Sequence, residues 1–552
     1  MKKSLLKLNV IAFSVASVYS FVVQAEASYT QFAVANEPLA ESRKTKTEDF
    51  AKNNASDSDL TGVLNNVTNI YLGKYSLLTL DADSSVTTLS NGGTVAFSGG
   101  NVGRTLTIHG DYTGNNGLLI FNSVLSGDRS LTDRLKVYGN TSGTTRVSIN
   151  NLGGAGDSTV NGIEVINVNG NSAGEFTEAT PIVAGAYDYH LVRGKGKNSG
   201  NWYLTSQLSD GESGTLPGNG GNDAQGGKTK TYRPEGGAYA ANILAANTMF
   251  IAPLSTRQGE TEYTDSMTGE RKMTSLWLKN TGMHSRNYDG SGQLKTQSNS
   301  YILMLGGDVA KGKIQGGSSW RLGALVGYAN NHSDTTSSLA GRYAKGEVQG
   351  YNMGLYGTWY AQGNDREGFY IDTLTQYSGF NNTVSGEELN SEKYDADGVQ
   401  ASLESGYVFP MASGEQSVWY VQPDLQAAWS GIQADKHTEN NGTAVTGTGR
   451  NNLRTQLGVK VFSEGHSHLD DGKNRNFSPF AEVSWVHNTE QYGANMDGVN
   501  VLSEGTRNIA EANIGVQGEI TPVLNISGSV AQLIGDEGFS STAISAGMKY
   551  TF

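Results

Sequence analysis

The last strand-like segment of the chain restricts the fold more than any other feature. Apolar side chains occupy every second position of this segment, and the residues between them are small or polar. This period of two is typical of a β-strand with one apolar face and one face in water. An ordinary edge strand of a soluble sheet would show the same pattern. A bacterial outer-membrane barrel commonly places such a strand last, because its closing strand pairs with the first and removes the open edge. We therefore interpret the apolar positions as a membrane-insertion signature, formed by Ile544, Ala546, Met548, Tyr550 and Phe552.

The amino-terminal end predicts export. A basic start with three lysines precedes a mostly apolar stretch over residues 8–23, and Val23 and Ala25 form a small-residue cleavage site. The stretch is short for a membrane-spanning helix, and no stop-transfer pattern follows it. We predict a signal peptide over residues 1–25 and export through the Sec machinery.

Composition limits the chemistry and the partners. The 552-residue chain contains no cysteine, which excludes a disulfide framework and thiol chemistry. Its net charge of -13 argues against nucleic acid as a partner, because phosphate neutralisation needs clustered Lys and Arg. The eight histidines lack the spacing of a metal site. We expect no metal and no cofactor.

Alternating segments recur throughout the carboxyl-terminal half. Twelve candidate strands begin near residue 274, and an even number permits closure of a barrel. They lie near 274–282, 299–309, 319–330, 347–361, 367–378, 395–410, 417–430, 451–463, 477–488, 507–519, 522–533 and 541–552.

The size of this barrel indicates which face is wet. Side chains fill the interior of a barrel of about eight strands, so an apolar interior of a wider barrel would leave a void. A wet lumen instead tolerates mid-strand charges such as Arg454, Lys460 and Glu511. Aromatic residues near strand ends suit an interfacial girdle: Tyr328, Trp359, Tyr377, Tyr407, Trp419, Trp429, Trp485 and Tyr550. The sequence predicts a transmembrane barrel over residues 273–552 whose apolar face contacts outer-membrane lipid.

Short strand-like runs separated by Asn, Gly, Asp and Ser turns occupy residues 61–208. This pattern favours a short right-handed parallel β-helix in which each coil stacks on the next. A jelly roll or sandwich stays open as an alternative, because periodicity does not reveal coil direction. Residues 26–60 are polar and poor in aromatics, which predicts a disordered leader. Residues 209–232 form a Gly/Asn-rich linker.

One segment has helical character, in an otherwise all-β chain. Pro234 suits a first-turn position, and Glu235 complements the helix dipole. The alanine-rich run that follows makes a narrow rod. A short surface helix would have the same features, but a thin helix with two asparagines also suits a barrel lumen. We predict a pore-threading α-helix over residues 233–252, with Ala238, Ala241, Asn242, Ala245 and Asn247 in the pore.

Several segments together resemble a known family. TYRPEGGAYAANILAANTMF from Thr231, TSLWLKN from Thr274, SNSYILMLGGDVA from Ser298 and the terminal KYTF resemble the translocator of monomeric autotransporters. These are type V secretion proteins of Gram-negative bacteria. The resemblance is to the group of the diffuse-adherence adhesin. Residues 104–208 resemble the pertactin-like autochaperone region. The resemblance implies a twelve-stranded barrel inserted by the barrel-assembly machinery, a helix through its pore, and a cell-surface passenger whose autochaperone folds first.

Enzymatic chemistry is not favoured. Serine proteases of this family carry a Gly-Asp-Ser-Gly motif, whereas Ser158 is followed by Thr159, and the only upstream histidine is His109. Relatives that cleave themselves do so at an Asn-Asn pair on the pore helix, but Asn242 and Asn247 stand apart. We expect a protein that is not an enzyme.

Two functional classes stay open. One is a surface-displayed protein for adhesion or aggregation, which contacts a host surface or further copies of itself. The other is a barrel for translocation or pore formation with a vestigial passenger, because only about forty residues of candidate coil, 63–102, precede the autochaperone-like region. A surface serine protease is the least favoured reading.

Overall fold

The fold consists of a parallel β-helix followed by a β-barrel. A computed structural model describes residues 59–208, 229–257, 263–264, 271–272, 275–314, 317–362, 367–414, 416–466, 475–521 and 523–551. The predicted signal peptide with Val23 and Ala25, almost all of the predicted leader, most of the linker and Phe552 lie outside the described residues. In the part of the chain so described, no helix is long and apolar enough to cross a membrane.

Fourteen strands form the amino-terminal sheet. They are β1 Asp59–Gly62, β2 Val67–Leu72, β3 Leu77–Leu80, β4 Ser84–Asn91, β5 Thr94–Phe97, β6 Thr105–Ile108, β7 Tyr112–Ser123, β8 Arg134–Val137, β9 Thr141–Asn151, β10 Ile163–Val168, β11 Glu175–Glu178, β12 Ile182–Ala184, β13 Tyr187–Arg193 and β14 Trp202–Thr205. A short 3-10 turn over Gly196–Asn198 lies between the last two.

Stacked coils account for this sheet. Leu60 pairs in parallel with Leu78, which pairs with Val95, then Leu119 and finally Val147. All five are at most 4% exposed, so each coil adds an apolar side chain to one continuous core. Burial of each such side chain contributes about 1.5–3 kcal/mol. The parallel register identifies a β-helix and excludes the jelly roll and the sandwich, which are antiparallel.

The carboxyl-terminal end of the β-helix has a different pairing. β10 pairs antiparallel with β14, β14 with β13, and β13 with β12. Aromatic packing continues the core into this end, where the Phe176 ring meets Trp202 edge-on at 5.4 Å between centroids. We call residues 182–205 the cap, because these antiparallel strands close the last parallel coil.

Short elements connect the β-helix to the barrel. They are β15 Gln207–Leu208, β16 Thr229–Lys230, helix α1 Glu235–Thr248, a 3-10 turn over Leu254–Thr256, β17 Tyr263–Thr264 and β18 Arg271–Lys272. Within the described residues, α1 is the one α-helix.

Twelve antiparallel strands close into the predicted barrel. They are β19 Ser275–Tyr288, β20 Leu294–Lys313, β21 Ser319–Ser337, β22 Tyr343–Tyr360, β23 Gly368–Gly386, β24 Glu392–Ser413, β25 Ser417–Ser430, β29 Asn452–Gly465, β30 Asn476–Asn488, β33 Asn508–Thr521, β34 Leu524–Gly535 and β35 Ser540–Thr551. The first and last strands pair from Ser275 with Thr551 to Arg286 with Ser540, which closes the sheet.

The apolar face of the barrel points outward. Leu457, Val483 and Ile514 are 57–63% exposed, whereas the neighbouring Gln456 is 7% exposed and faces the lumen. Ile544 and Met548 on the last strand are also exposed. Lys549, which follows Met548, is 7% exposed and faces inward. A ring of exposed apolar side chains around a closed barrel is the surface that lipid covers.

The barrel wall is taller on one side. β20 to β24 have 18 to 22 residues each, whereas β25 and the later barrel strands have 12 to 14. The two longest connections, 431–451 and 489–507, lie opposite the chain ends, as on the extracellular side of outer-membrane barrels. They contain the strands that the sequence analysis missed: β26 Gln433–Ala434, β27 His437–Thr438, β28 Ala444–Thr448, β31 Gly493–Met496 and β32 Val499–Leu502.

Candidate functional site: the helix in the barrel lumen

Helix α1 lies inside the barrel. Pro234 precedes its first residue, and Glu235 occupies its first turn, as the sequence suggests. Twelve of its fourteen residues are buried, although only some of them are apolar. A helix buried on every side is surrounded by protein, so the surface-helix alternative is wrong.

The two asparagines of the helix bond to the barrel wall. Asn242 Nδ2 donates to the carbonyl oxygen of Thr383 at 3.1 Å, and lies 3.4 Å from the hydroxyl oxygen of Tyr394. Asn247 Oδ1 accepts a hydrogen bond from Ser430 Oγ at 2.7 Å, and Gln400 Nε2 donates to the Asn247 carbonyl at 2.9 Å. These bonds fix both the rotation and the height of the helix in the lumen.

Small side chains bring the helix close to the wall. A Cβ atom at Gly237 would lie 2.6 Å from Thr335 Cγ2, which is far inside van der Waals contact. Ala238 is fully buried, whereas Ala241 and Ala245 face the cavity beside the helix. The predicted narrow rod therefore describes how this helix fits beside the strands.

Buried ion pairs tie both ends of the helix, and the sequence analysis missed them. At the outer end the guanidinium of Arg233 bonds both carboxylate oxygens of Glu439, which also accepts from Tyr239 Oη at 2.9 Å. At the inner end Arg257 pairs with Asp372. All four charged side chains are at most 3% exposed. The available signal was one arginine on each side of a helix whose single charged residue is Glu235.

The helix leaves part of the lumen empty. Its hydrogen bonds reach β22 to β25, and on the opposite side a cavity of about 270 Å³ separates it from the wall. Small and polar side chains from β19 and β33 to β35 line that side of the cavity. The lumen is thus packed on one side of the helix and open on the other.

The cap of the β-helix docks on the outer loops of the barrel. Arg342, in the hairpin between β21 and β22, lies 3.1 Å from both Glu178 Oε2 and Asp188 Oδ1. The amide of Gly185 donates to Thr443 Oγ1 at 3.1 Å. Burial raises the pKa of Asp188 to about 6, despite the positive charges near it. Burial also acts against the charge of Glu178, but His190 and the Leu191 amide hold the pKa of Glu178 below its usual value.

Ser158 and His109, the residues considered for serine protease chemistry, do not contact each other in the structure. The Ser158 amide donates to the carboxylate of Asp157 at 2.6 Å, and His109 stacks on Tyr138 at 5.8 Å between ring centroids. Across the described ranges, no three His, Asp or Glu side chains are arranged to hold a metal ion.

Comparison with known proteins identifies the family. The model "Autotransporter beta-domain" matches residues 276–531, and the model "Autochaperone Domain Type 1" matches residues 84–191. The uncharacterized protein YdeU of Escherichia coli (strain K12) is 43% identical over 464 residues, which cover 82% of this chain and 99% of YdeU. The chain belongs to the autotransporter family. As an autotransporter with a closed outer-membrane barrel, it resides in the outer membrane, and its barrel contacts lipid.

Longer autotransporters share the same region. The uncharacterized protein YuaQ of Escherichia coli (strain K12) is 47% identical over 84% of this chain, and the autotransporter adhesin AIDA-I of Escherichia coli is 38% identical over 82%. The chain spans about a third of each, 34% in both. The crystal structure of the AIDA-I transport unit superposes with a TM-score of 0.53 at 36% identity, and covers 58% of this chain and all of that structure.

Proposed function

We propose that this autotransporter exports its own β-helical passenger, displays it on the cell surface and serves adhesion or aggregation. One observation carries the proposal: residues 231–233, which hydrogen-bond the cap of the docked β-helix, lead directly into the helix in the lumen. The Arg233 amide donates to the carbonyl oxygen of Ala186 at 3.1 Å, so the chain is held by the cap as it enters the helix. A protein that has passed through its own barrel ends in this arrangement.

The passenger surface supports an adhesive role. Hydrogen-bonding side chains on neighbouring coils form exposed rows, such as Thr88 Oγ1 to Asn69 Oδ1 at 2.6 Å and Asn115 Nδ2 to Ser90 Oγ at 2.7 Å. A row of regularly spaced donors and acceptors suits a second β-helix of the same kind or a polar host surface. AIDA-I is named an adhesin, and no enzymatic role is proposed for this chain.

We also propose roles for the two ends of the sequence. The signal peptide directs the chain to the Sec machinery and is removed at the site formed by Val23 and Ala25. The terminal strand, with Ile544, Ala546, Met548, Tyr550 and Phe552, presents an apolar row to the barrel-assembly machinery and then to lipid. The outward direction of Ile544 and Met548 supports this role.

The experiment compares cells that carry the full chain with cells that carry a deletion of residues 63–208. We expect protease added outside the cells to degrade the β-helix of the full chain, and we expect aggregation of those cells only. If the deletion leaves aggregation unchanged, the principal activity is translocation or pore formation and the adhesive role is wrong.

A second measurement tests the role of the helix. Removal of residues 234–250 should increase conductance in planar bilayers, because the helix occupies part of the lumen. A barrel that conducts no more than the parent would contradict the plug role.

A further inference from the structure

One outward face of the β-helix carries two basic side chains that have no counter-ion in the chain. Arg134 and Lys136 alternate along β8 with the buried Leu135 and Val137, so both basic side chains point away from the core. Two positions apart on one strand, their Cα atoms are about 6.6 Å from each other. In the part of the chain that the structure describes, neither side chain forms an ion pair.

A pair of stacked rings fixes the position of Lys136. The Lys136 ammonium lies 4.7 Å from the centroid of the Tyr138 ring, and Tyr138 is 46% exposed. On the preceding coil, His109 stacks on Tyr138 with 13° between the ring planes. A cation held over an aromatic ring keeps its charge and loses part of its freedom of movement. We call Arg134, Lys136, Tyr138 and His109 the basic patch.

The carboxylates on the strands and turns around β8 are directed toward donors within the protein. They are Glu164, bonded by Asn201 and Tyr203; Asp111, bonded by the Asn140 amide; Asp83, bonded by the Thr105 amide; and the buried Asp133, bonded by the amides of Arg104 and Asn122. Arg134 and Lys136 are therefore free to bind an anionic group from outside the chain, although the net charge of the whole chain is -13.

Hydrogen-bonding side chains on the neighbouring coils extend the basic patch. Thr105 and Thr107 on β6 pair with Arg134 and Lys136, and Asn167 on β10 pairs with Lys136 on the other side. Neighbouring strands lie about 4.8 Å apart, so hydroxyl and amide groups flank the two cations on a sheet face. An extended polymer that carries both hydroxyl groups and repeated anionic groups matches this surface.

We propose that the basic patch binds a sulfated polysaccharide of a host cell surface. This inference rests on the proposed function, because it names the chemistry that the adhesive passenger contacts. Sulfate groups stay negatively charged at physiological pH, and they accept charge-assisted hydrogen bonds from guanidinium and ammonium groups. Sugar hydroxyls between the sulfates match Thr105, Thr107 and Asn167. Nucleic acid fits less well, because its continuous row of phosphates is repelled by the net charge of -13.

Attachment of a whole cell uses many basic patches. One patch supplies two exposed cations, and exposed ion pairs are individually weak. Many passengers on one cell contact the same polymer, and simultaneous contacts strengthen the attachment without any new kind of contact. Because the charges are exposed, binding should weaken as the salt concentration rises.

Binding of the purified full-length protein to immobilised heparin tests the site. Arg134→Glu together with Lys136→Glu should weaken binding about tenfold at physiological ionic strength. The matched control is Lys74→Glu with Arg146→Glu, which makes the same change in charge at two exposed cations elsewhere on the β-helix and should bind like the parent. Equal weakening by both pairs would mean that heparin senses only overall charge, and the site would be wrong.

Two further polymers test the chemistry of the partner. Hyaluronan carries carboxylates but no sulfate, and we expect it to bind more weakly than heparin. Double-stranded DNA should also bind more weakly. If hyaluronan binds as tightly as heparin, or if only DNA depends on Arg134 and Lys136, a sulfated polysaccharide is not the partner.

The ring that holds Lys136 gives a separate readout. Tyr138→Ala should weaken heparin binding about threefold, because Lys136 loses its position over the ring. Tyr138→Phe keeps the ring and should bind like the parent. If Tyr138→Ala also binds like the parent, the ring stack does not belong to the site.

Cells separate this site from the proposed function. Cells that display the full chain should attach to heparin-coated surfaces, and cells with Arg134→Glu and Lys136→Glu should not. If the purified protein binds heparin through the basic patch but the parent cells neither display the passenger nor attach, the site stands and the proposed function is wrong. If cells attach to host cells equally well with and without the two substitutions, adhesion stands and the basic patch is not its contact.

Discussion

Arg342 should control how firmly the cap docks on the barrel. Its guanidinium bridges Glu178 and Asp188, and the Asp188 side chain is completely buried. Replacement of Arg342 by Ala removes the cation and leaves that carboxylate without its partner from the barrel. Removal of one member of a buried ion pair costs about 3–5 kcal/mol. Because the Arg342 side chain is 16% exposed, we expect the lower end, about 3 kcal/mol.

This loss corresponds to roughly a 150-fold larger population of undocked cap, since each 1.36 kcal/mol is about a factor of ten. Thermolysin cleavage within residues 182–205 of the purified protein measures this population when opening and closing are fast relative to cleavage. Lys345→Ala, on the exposed face of the same hairpin, is the matched control and should leave the cleavage rate unchanged.

The defect should also depend on pH. The folded pKa of Asp188 is raised to about 6, above its ordinary value, so the folded protein binds an extra proton as the pH falls below about 6. Protonation removes the buried charge, so the folded state gains stability relative to the unfolded chain from pH 7 to pH 5. In Arg342→Ala the uncompensated charge is larger, so acidification should restore more of the docking. A cleavage rate equal to that of the parent, or a defect that is the same at pH 5 and pH 8, would refute this account.

Three further outcomes test the barrel and its helix. Leu457→Arg should lower barrel yield much more than Gln456→Arg, because a charge that faces lipid costs about 2–4 kcal/mol near the midplane; equal yields would reverse the facing assignment. Deletion of Phe552 should reduce outer-membrane assembly, measured as heat-modifiable barrel, and normal levels would contradict its role in insertion. Simultaneous Trp at Ala241 and Ala245, which line the cavity, should impede passenger display, whereas Ser at both sites should be tolerated; normal display of the Trp variant would count against the narrow-rod argument.

The barrel strands could be predicted from the sequence where contact with lipid requires an apolar residue at every second position. The predicted strand near 347–361 is observed as Tyr343–Tyr360, and the one near 417–430 is observed as Ser417–Ser430. The prediction failed at the tall outer part of the wall, where outward positions such as Lys345 and Glu347 are polar. Above the membrane both faces of a strand meet water. Apolar and polar residues therefore no longer alternate there, although the hydrogen bonds between neighbouring strands continue.

The helix and the β-helix show a second limit. Alanine content suggests a thin helix, but its anchors lie far away in the sequence: Glu439 is 206 residues from Arg233, and Asp372 is 115 residues from Arg257. Spacing within one segment cannot reveal such partners. Coil direction was equally hidden, since stacked parallel coils and antiparallel sandwiches share short strands and polar turns.

The ion pairs at the two ends of the helix decide where mechanical load enters the barrel. Tension on a displayed passenger pulls the helix outward, and without anchors the force would reach β19 from its inner end and unzip it from β35, one hydrogen bond at a time. Arg257 with Asp372, together with the bonds of Asn247, carries that force into β23 to β25 instead. Those bonds are loaded simultaneously and in shear, so the closing seam of the barrel is relieved of the pull.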